Sequence, residues 1–168
     1  MNNICYVLRG LPGTGKSRLA RLIKEANACD DYYVEIFSTD DLFINSEGIY
    51  EFDPTLLKGH HEENLRRAIE FFNLHPETAN APNWAQIAII DNTNVQHWEY
   101  EPYVAAAKEA GWDVQIITLD WDVRDIPLYA KRNKHNVPDG AIQRMADKWE
   151  YPADVMKFGS DEWRDTSK

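Results

Sequence analysis

The stretch Gly10-Leu-Pro-Gly-Thr-Gly15-Lys16-Ser17 has the spacing G-x-x-x-x-G-K-[ST]. That spacing suits the cradling of a phosphate chain. Gly10, Gly13 and Gly15 allow backbone angles that other residues avoid, so the N–H groups of the loop, Thr14 included, can converge on one anion. A helix opening behind the loop adds its positive end. Lys16 then brings a charge to the β/γ-phosphates, and Ser17 brings an oxygen to Mg²⁺. Nucleotide binding is the chemistry implied, and the loop alone does not say what becomes of the γ-phosphate.

Two further carboxylate positions sit at the ends of apolar runs. Asp91 closes AQIAII within IIDNTN, where a phosphate-loop protein holds Mg²⁺ directly or through water. Asp40 and Asp41 end VEIFSTDDLF. If the chain is still extended there, the two side chains point to opposite sides. One carboxylate then faces the phosphates, where it can orient an acceptor hydroxyl and take its proton. The other is left for a local task such as capping a helical turn. Two negative groups beside a triphosphate cost electrostatic energy, which argues that the arrangement serves catalysis.

These residues need strands and helices to position them. NICYVLR (3–9) reads as a buried strand, AQIAII (85–90) as a central one, and YVEIFS (33–38) and DVQIITL (113–119) as strands. Helices are expected over 16–27, with Leu19, Leu22, Ile23 and Ala26 inward, and over 61–73, with Leu65, Ala68, Ile69 and Phe72 inward. Others are expected over 99–110, ending at Gly111, and over about 123–133 and 139–149, the last presenting Ile142, Met145, Ala146 and Trp149 inward. Residues 45–59 and 75–84 read as connections. Strands alternating with helices imply right-handed crossovers and a parallel sheet covered on both faces. Ligands bind such sheets beyond the carboxyl ends of the strands, so the strand ends at Gly10, Asp40 and Asp91 are expected side by side.

The chain of 168 residues is long enough for one domain. No run of 18 apolar residues is present, and the N-terminus has no basic region preceding an apolar one, so no signal peptide is expected. Cys5 and Cys29 lack metal-ligand spacing; Cys5 reads as a buried thiol, and a reducing, cytoplasmic setting fits. A net charge of −10 argues against coating long nucleic acid, though not against gripping a chain end. The basic residues Arg124, Lys131, Arg132, Lys134, Arg144 and Lys148 form a locally positive segment in an acidic protein.

The blocks GLPGTGKS, FSTDD, HEENLRRA, IIDNTNVQHWEYEPY, KRNKHNVP and IQRM with WE together resemble the P-loop 5′-polynucleotide kinase family, both its phage-type kinase domains and the kinase domain of NEDD-binding proteins. The resemblance spans roughly residues 4–150. It implies a three-layer α/β P-loop kinase fold: a small parallel sheet with helices on both faces and a helical lid over about 122–140, in a domain of residues 1–150 followed by a tail of 151–168. It implies an ATP- and Mg²⁺-dependent transfer to a 5′-hydroxyl end of DNA or RNA. Asp40, the first of its pair, becomes the general base, and Asp91 acts near the transferring phosphate. Arg132 contacts the donor phosphates from the lid. His61, Asn64 and Arg67 match the family's H-x-x-N-x-x-R-A helix without a fixed role. Phage-type members carry an Arg three residues after the base, and this chain has Phe43. That substitution, with the acidic balance, motivates one alternative, a kinase of a nucleoside or other small hydroxyl substrate; a non-catalytic ATP-dependent binding module stays open as another. Any repair enzymes would be separate partner chains.

Overall fold

A computed structural model describes residues 2–28, 32–74 and 85–151. The connection expected over 75–84, Cys29, and all of the expected tail except Tyr151 lie outside the described residues. Strands β1 (Ile4–Arg9), β2 (Tyr32–Phe37), β3 (Ala85–Asp91) and β4 (Asp113–Thr118) form one sheet in the order β2-β3-β1-β4. All three pairings are parallel. The register places Leu8 beside Asp91 and Phe37 beside Ile90, so the ends of β2, β3 and β1 are neighbours at one edge, as expected.

Alternation along the strands sends successive side chains to opposite faces. Cys5, Val7, Phe37, Ala88 and Ile90 pack with α2 (Leu57–Phe72) and α3 (His97–Glu109) through Ala68, Phe71, Phe72, Tyr100, Tyr103 and Ala107. Leu8, Val34, Ile87 and Ile89 pack with α1 (Lys16–Ala26) through Leu19, Ala20 and Ile23. Burial on both faces is why β1 and β3 read as unbroken apolar runs. The Cys5 thiol lies fully inside, and burial pushes its pKa up to about 12, so it is an inert packing group.

A third cluster joins Leu11 of the glycine loop and Val95 to α4 (Ile126–Arg132) and α5 (Asp139–Asp147) through Ile126, Tyr129, Ile142 and Trp149. The approach is close. A Cβ on Gly13 (φ 80°) would stand 2.2 Å from the Tyr129 carbonyl oxygen. Only glycine fits beneath α4 at that point.

Several expected details differ. Leu22 and Ala26 of α1 and Ile69 of α2 are exposed; Ala20 and Phe71 are buried in their place. Helix α2 starts at Leu57, so Gly59 is helical. The segment 123–133 is a short 3₁₀ turn, Val123–Asp125, followed by α4. Among the described residues no helix is long and apolar enough to cross a membrane.

Arg9 ends β1 wholly buried, although it is charged. Its Nε donates to the Asn94 carbonyl at 2.8 Å, and its Nη2 donates to the carbonyls of Val95 at 3.0 Å and Glu150 at 2.6 Å. The guanidinium lies 4.7 Å from the ring centres of both Tyr100 and Trp149, a stacking that offsets its lost hydration. The Arg9 carbonyl accepts from Leu119 N at 2.8 Å. Replacing Arg9 with Met takes a donor from the carbonyls of Asn94, Val95 and Glu150, of which Val95 keeps Glu150 N at 3.0 Å. The expected loss is about 2–5 kcal/mol of unfolding free energy in a urea titration; a change within about 0.5 kcal/mol would refute the assignment.

Candidate active site

The glycine loop leaves β1 at Gly10, whose N–H donates to the Thr93 carbonyl at 3.1 Å and so ties the loop to the end of β3. The Leu11 carbonyl accepts three donors: Thr14 N at 3.3 Å, Thr14 Oγ1 at 2.8 Å and Lys16 Nζ at 3.0 Å. Gly13 and Gly15 hold φ of 80° and 103°, which is how the chain can turn into α1. Gly15 stands at the helix N-cap, and the first turn of α1 carries no acidic residue. Its N-terminal N–H groups therefore face the loop without a competing carboxylate.

Lys16 is only 8% exposed. Burial lowers its pKa from 10.5 to about 8, against the opposing pull of Asp91 and Asp40. Asp91 ends β3 and is also buried. Burial raises its pKa most, and the Ser17 hydroxyl hydrogen bond, Lys16 and His135 lower it while Asp40 raises it. The Oδ1 of Asp91 is buried without a hydrogen-bond partner among the described residues. Such an oxygen is expensive unless something binds it, and a hard cation suits it.

Asp40 and Asp41 do not continue an extended strand. Strand β2 stops at Phe37, and Asp40–Phe43 is a 3₁₀ turn. Successive side chains therefore step by about a third of a turn and do not alternate. No side-chain cap holds the turn, so the expected capping task is not filled there. The two carboxylates still differ in their surroundings. Asp40 accepts the Tyr50 hydroxyl at 3.2 Å on Oδ1 and has His135 Nε2 at 3.5 Å from Oδ2. The Asp40 charge acts on both Lys16 and Asp91. Asp41 is raised by desolvation first and then by Asp91, with Arg67 lowering it.

The turn is anchored from below. Thr39 N donates to Asn92 Oδ1 at 3.0 Å, and Thr39 Oγ1 lies 3.2 Å from His61 Nδ1. The Asn92 side chain also bonds the Tyr103 hydroxyl, which accepts from Asn64 Nδ2 at 3.1 Å. This links α2, α3, the β3 end and the Asp40 turn in one polar chain. His61 and Asn64 thus have positioning contacts. Arg67 has its guanidinium 5.9 Å from the Phe37 ring centre. Phe43 is buried against Tyr50, Phe52 and His60.

Of the residues expected at the site, Gly10, Gly13, Thr14, Gly15, Lys16, Ser17, Asp40 and Asp91 come together. Arg132 stands exposed at the last turn of α4, with no hydrogen bond or ion pair among the described residues. Sequence reasoning missed Tyr50, His135, Thr39 and Tyr103. His135 lies inside KRNKHNVP and Tyr50 inside the stretch read as a plain loop, so only an aromatic residue type pointed to either.

The profile of a family described as an AAA domain matches residues 6–152. NEDD4-binding protein 2 of Homo sapiens is 40% identical over 149 residues, covering 88% of this chain and 8% of its own length. The chain thus spans a small fraction of that relative. A structure of the Pnkp1/Rnl/Hen1 RNA repair complex shares the fold, at a TM-score of 0.58 and 17% identity, over 88% of this chain and 44% of the other. Chaetomium thermophilum Kti12 in complex with ADP-AlF3 does so at a TM-score of 0.60 and 17% identity, over 94% and 86%.

The buried ammonium has a measurable consequence. The folded-state pKa of Lys16 lies below its unfolded value, so folding disfavours its charged form. The penalty is complete below about pH 8 and fades as pH rises to 10.5. In nucleotide-free protein, Lys16→Met is expected to raise unfolding free energy by about 1–3 kcal/mol at pH 7, since Thr14 still serves the Leu11 carbonyl. Denaturant titrations across pH should show the gain shrinking above pH 8; a gain that does not depend on pH would contradict this origin.

Proposed function

The chain belongs to the AAA domain family, and from that premise we propose that it is an ATP-dependent kinase acting on a 5′-hydroxyl end of DNA or RNA. The observation that carries this reading is that Asp91 ends β3 beside the strand leading into the phosphate loop, Lys16 opens the helix behind that loop, and the Asp40 turn is tied to the residue after Asp91 by the Thr39 N to Asn92 Oδ1 bond of 3.0 Å. In this reading residues 1–150 are the kinase domain, and about 122–140 its lid.

The residues present fit Mg²⁺ and a nucleotide. Among the described residues no group of three or more His, Cys, Asp or Glu could hold a metal alone. Magnesium is ordinarily held by one or two protein oxygens and completed by phosphate and water. Ser17 and the unpartnered Asp91 Oδ1 are such oxygens. Bound Mg·ATP would supply the transferable phosphoryl group and a cation to offset its charge. The loop amides and Lys16 hold the phosphates, and Arg132 adds positive charge from α4. Asp40 orients the acceptor hydroxyl and takes its proton, as the acceptor oxygen bonds to the γ-phosphorus and the bond to the ADP oxygen breaks. The presence of a structural neighbour in an RNA repair complex is compatible with a nucleic-acid acceptor.

A second reading, a small hydroxyl substrate, draws on the buried Phe43 standing where an arginine would grip an acceptor phosphate. Radiolabelled transfer to 5′-hydroxyl oligonucleotides, nucleosides and sugars separates the two. The polynucleotide reading expects oligomers to win; preference for a mononucleoside overturns it.

Asp40→Asn is expected to lower transfer by about two orders of magnitude or more while ATP binding, read by equilibrium titration, persists. An ATP-dependent binding module would instead keep its partner binding and show no turnover to lose. Arg132→Ala is expected to cut turnover by on the order of 10³ with the fold intact by circular dichroism; full activity would remove Arg132 from the mechanism.

A further inference from the structure

The Asp40 carboxylate is contacted on both oxygens by residues from distant parts of the chain. Tyr50 donates to Oδ1 at 3.2 Å, and His135 Nε2 lies 3.5 Å from Oδ2. The two rings also meet each other, with centres 4.3 Å apart and planes inclined by 41°. We propose that Tyr50 and His135 form a clamp that positions the Asp40 carboxylate, so that α4 and α5 set the aim of this group as well as covering the loop. The inference rests on the reading of Asp40 as the proton acceptor and adds to it the residues that hold that group.

Both arms of the clamp stand on built supports. Tyr50 pairs with Ile44 across a short bridge, Glu51 N donates to the Phe43 carbonyl at 2.8 Å, and the Tyr50 ring meets Phe43 edge-on at 6.0 Å. His135 sits in a turn closed by Asn133. Its Nδ2 donates to the Ala130 carbonyl at 2.7 Å and the Val137 carbonyl at 3.1 Å, and its Oδ1 accepts Val137 N at 2.7 Å. Asn136 takes the left-handed φ of 54° that the turn needs. Within this turn the His135 Nδ1 is buried without a hydrogen-bond partner among the described residues. The imidazole therefore has little to hold it in place except Asp40 and Tyr50.

A carboxylate in a fixed direction keeps its remaining lone pairs in a fixed direction. Misplacing a reacting group by about 1 Å can cost on the order of 10² in rate. The positioning role therefore predicts a turnover effect with little effect on donor binding.

The test is a double-mutant cycle on the full chain, using γ-phosphoryl transfer to a 5′-hydroxyl oligonucleotide. His135→Ala and Tyr50→Phe are each expected to lower kcat about 10- to 100-fold, with KM for ATP within about twofold. His135→Gln should recover part of the loss. In an Asp40→Asn background neither substitution should lower kcat further. Additive losses there, or an unchanged kcat in His135→Ala, overturn the proposal. An activity-independent reading comes from the ring resonances of His135 in a ¹³C-edited NMR spectrum. They should shift in both Tyr50→Leu and Asp40→Asn, and their staying in place overturns the clamp even in an active enzyme. Wild-type protein that binds ATP yet transfers to no acceptor would sink the reading of Asp40 as base, and the resonances would then decide the clamp separately.

Discussion

An ammonium group held almost out of water beside one buried carboxylate governs this fold. Lys16 is the first residue of α1 and Asp91 the last of β3, so a helix and a strand place the two charges. Each makes the other's burial tolerable, as charges in a poor dielectric must. The balance is incomplete, because Lys16 remains depressed and Asp91 remains raised. An anion laid along the loop would relieve the first, and a cation on Oδ1 would relieve the second. The sheet edge is thus arranged around charges that its own residues do not neutralise.

The polar chain beneath Asp40 extends the same logic. Asn92, buried next to Asp91, holds the backbone of Thr39, and Tyr103 and Asn64 hold Asn92. The acidic turn is thereby fixed to the strand end that bears Asp91 by bonds on rigid elements, not by a loop's own preferences. Preorganisation of this kind lets charged groups act without first rearranging.

How much of this could be read in advance depended on range. The phosphate loop is a local pattern, and β1 and β3 are apolar runs whose burial follows from being covered on both sides, so both were legible. The neighbouring strand ends followed from parallel topology. The turn at Asp40 was not legible, because the bond that pulls Thr39 out of β geometry comes from Asn92, which lies 53 positions away. His135 was hidden for the same reason, since it meets Asp40 from far along the chain, whereas Tyr50, 10 positions from Asp40, was hidden in a stretch with no strand or helix pattern. Leu22 and Ile69 obeyed helical spacing yet face solvent, since periodicity marks a possible inner face without saying how wide the neighbouring layer is. Arg9 looked like an ordinary strand end, and nothing local announces that three carbonyls and two aromatic rings will close over it.

Arg9 has a mechanical implication. Its carbonyl accepts from Leu119 N, just before α4 and α5, and its guanidinium donates to the Glu150 carbonyl, just after them. The intervening segment is therefore pinned at both ends to a single residue, one peptide bond from Gly10. Such a segment has closed its own loop, and much of the entropy of closure is already spent. Held so, it cannot slide along the sheet, and a tilt, were one driven, would turn about an axis through Arg9 like the bail of a bucket. Any tilt pivots next to the phosphate loop, so displacement is least there and greatest at the far tip of the segment.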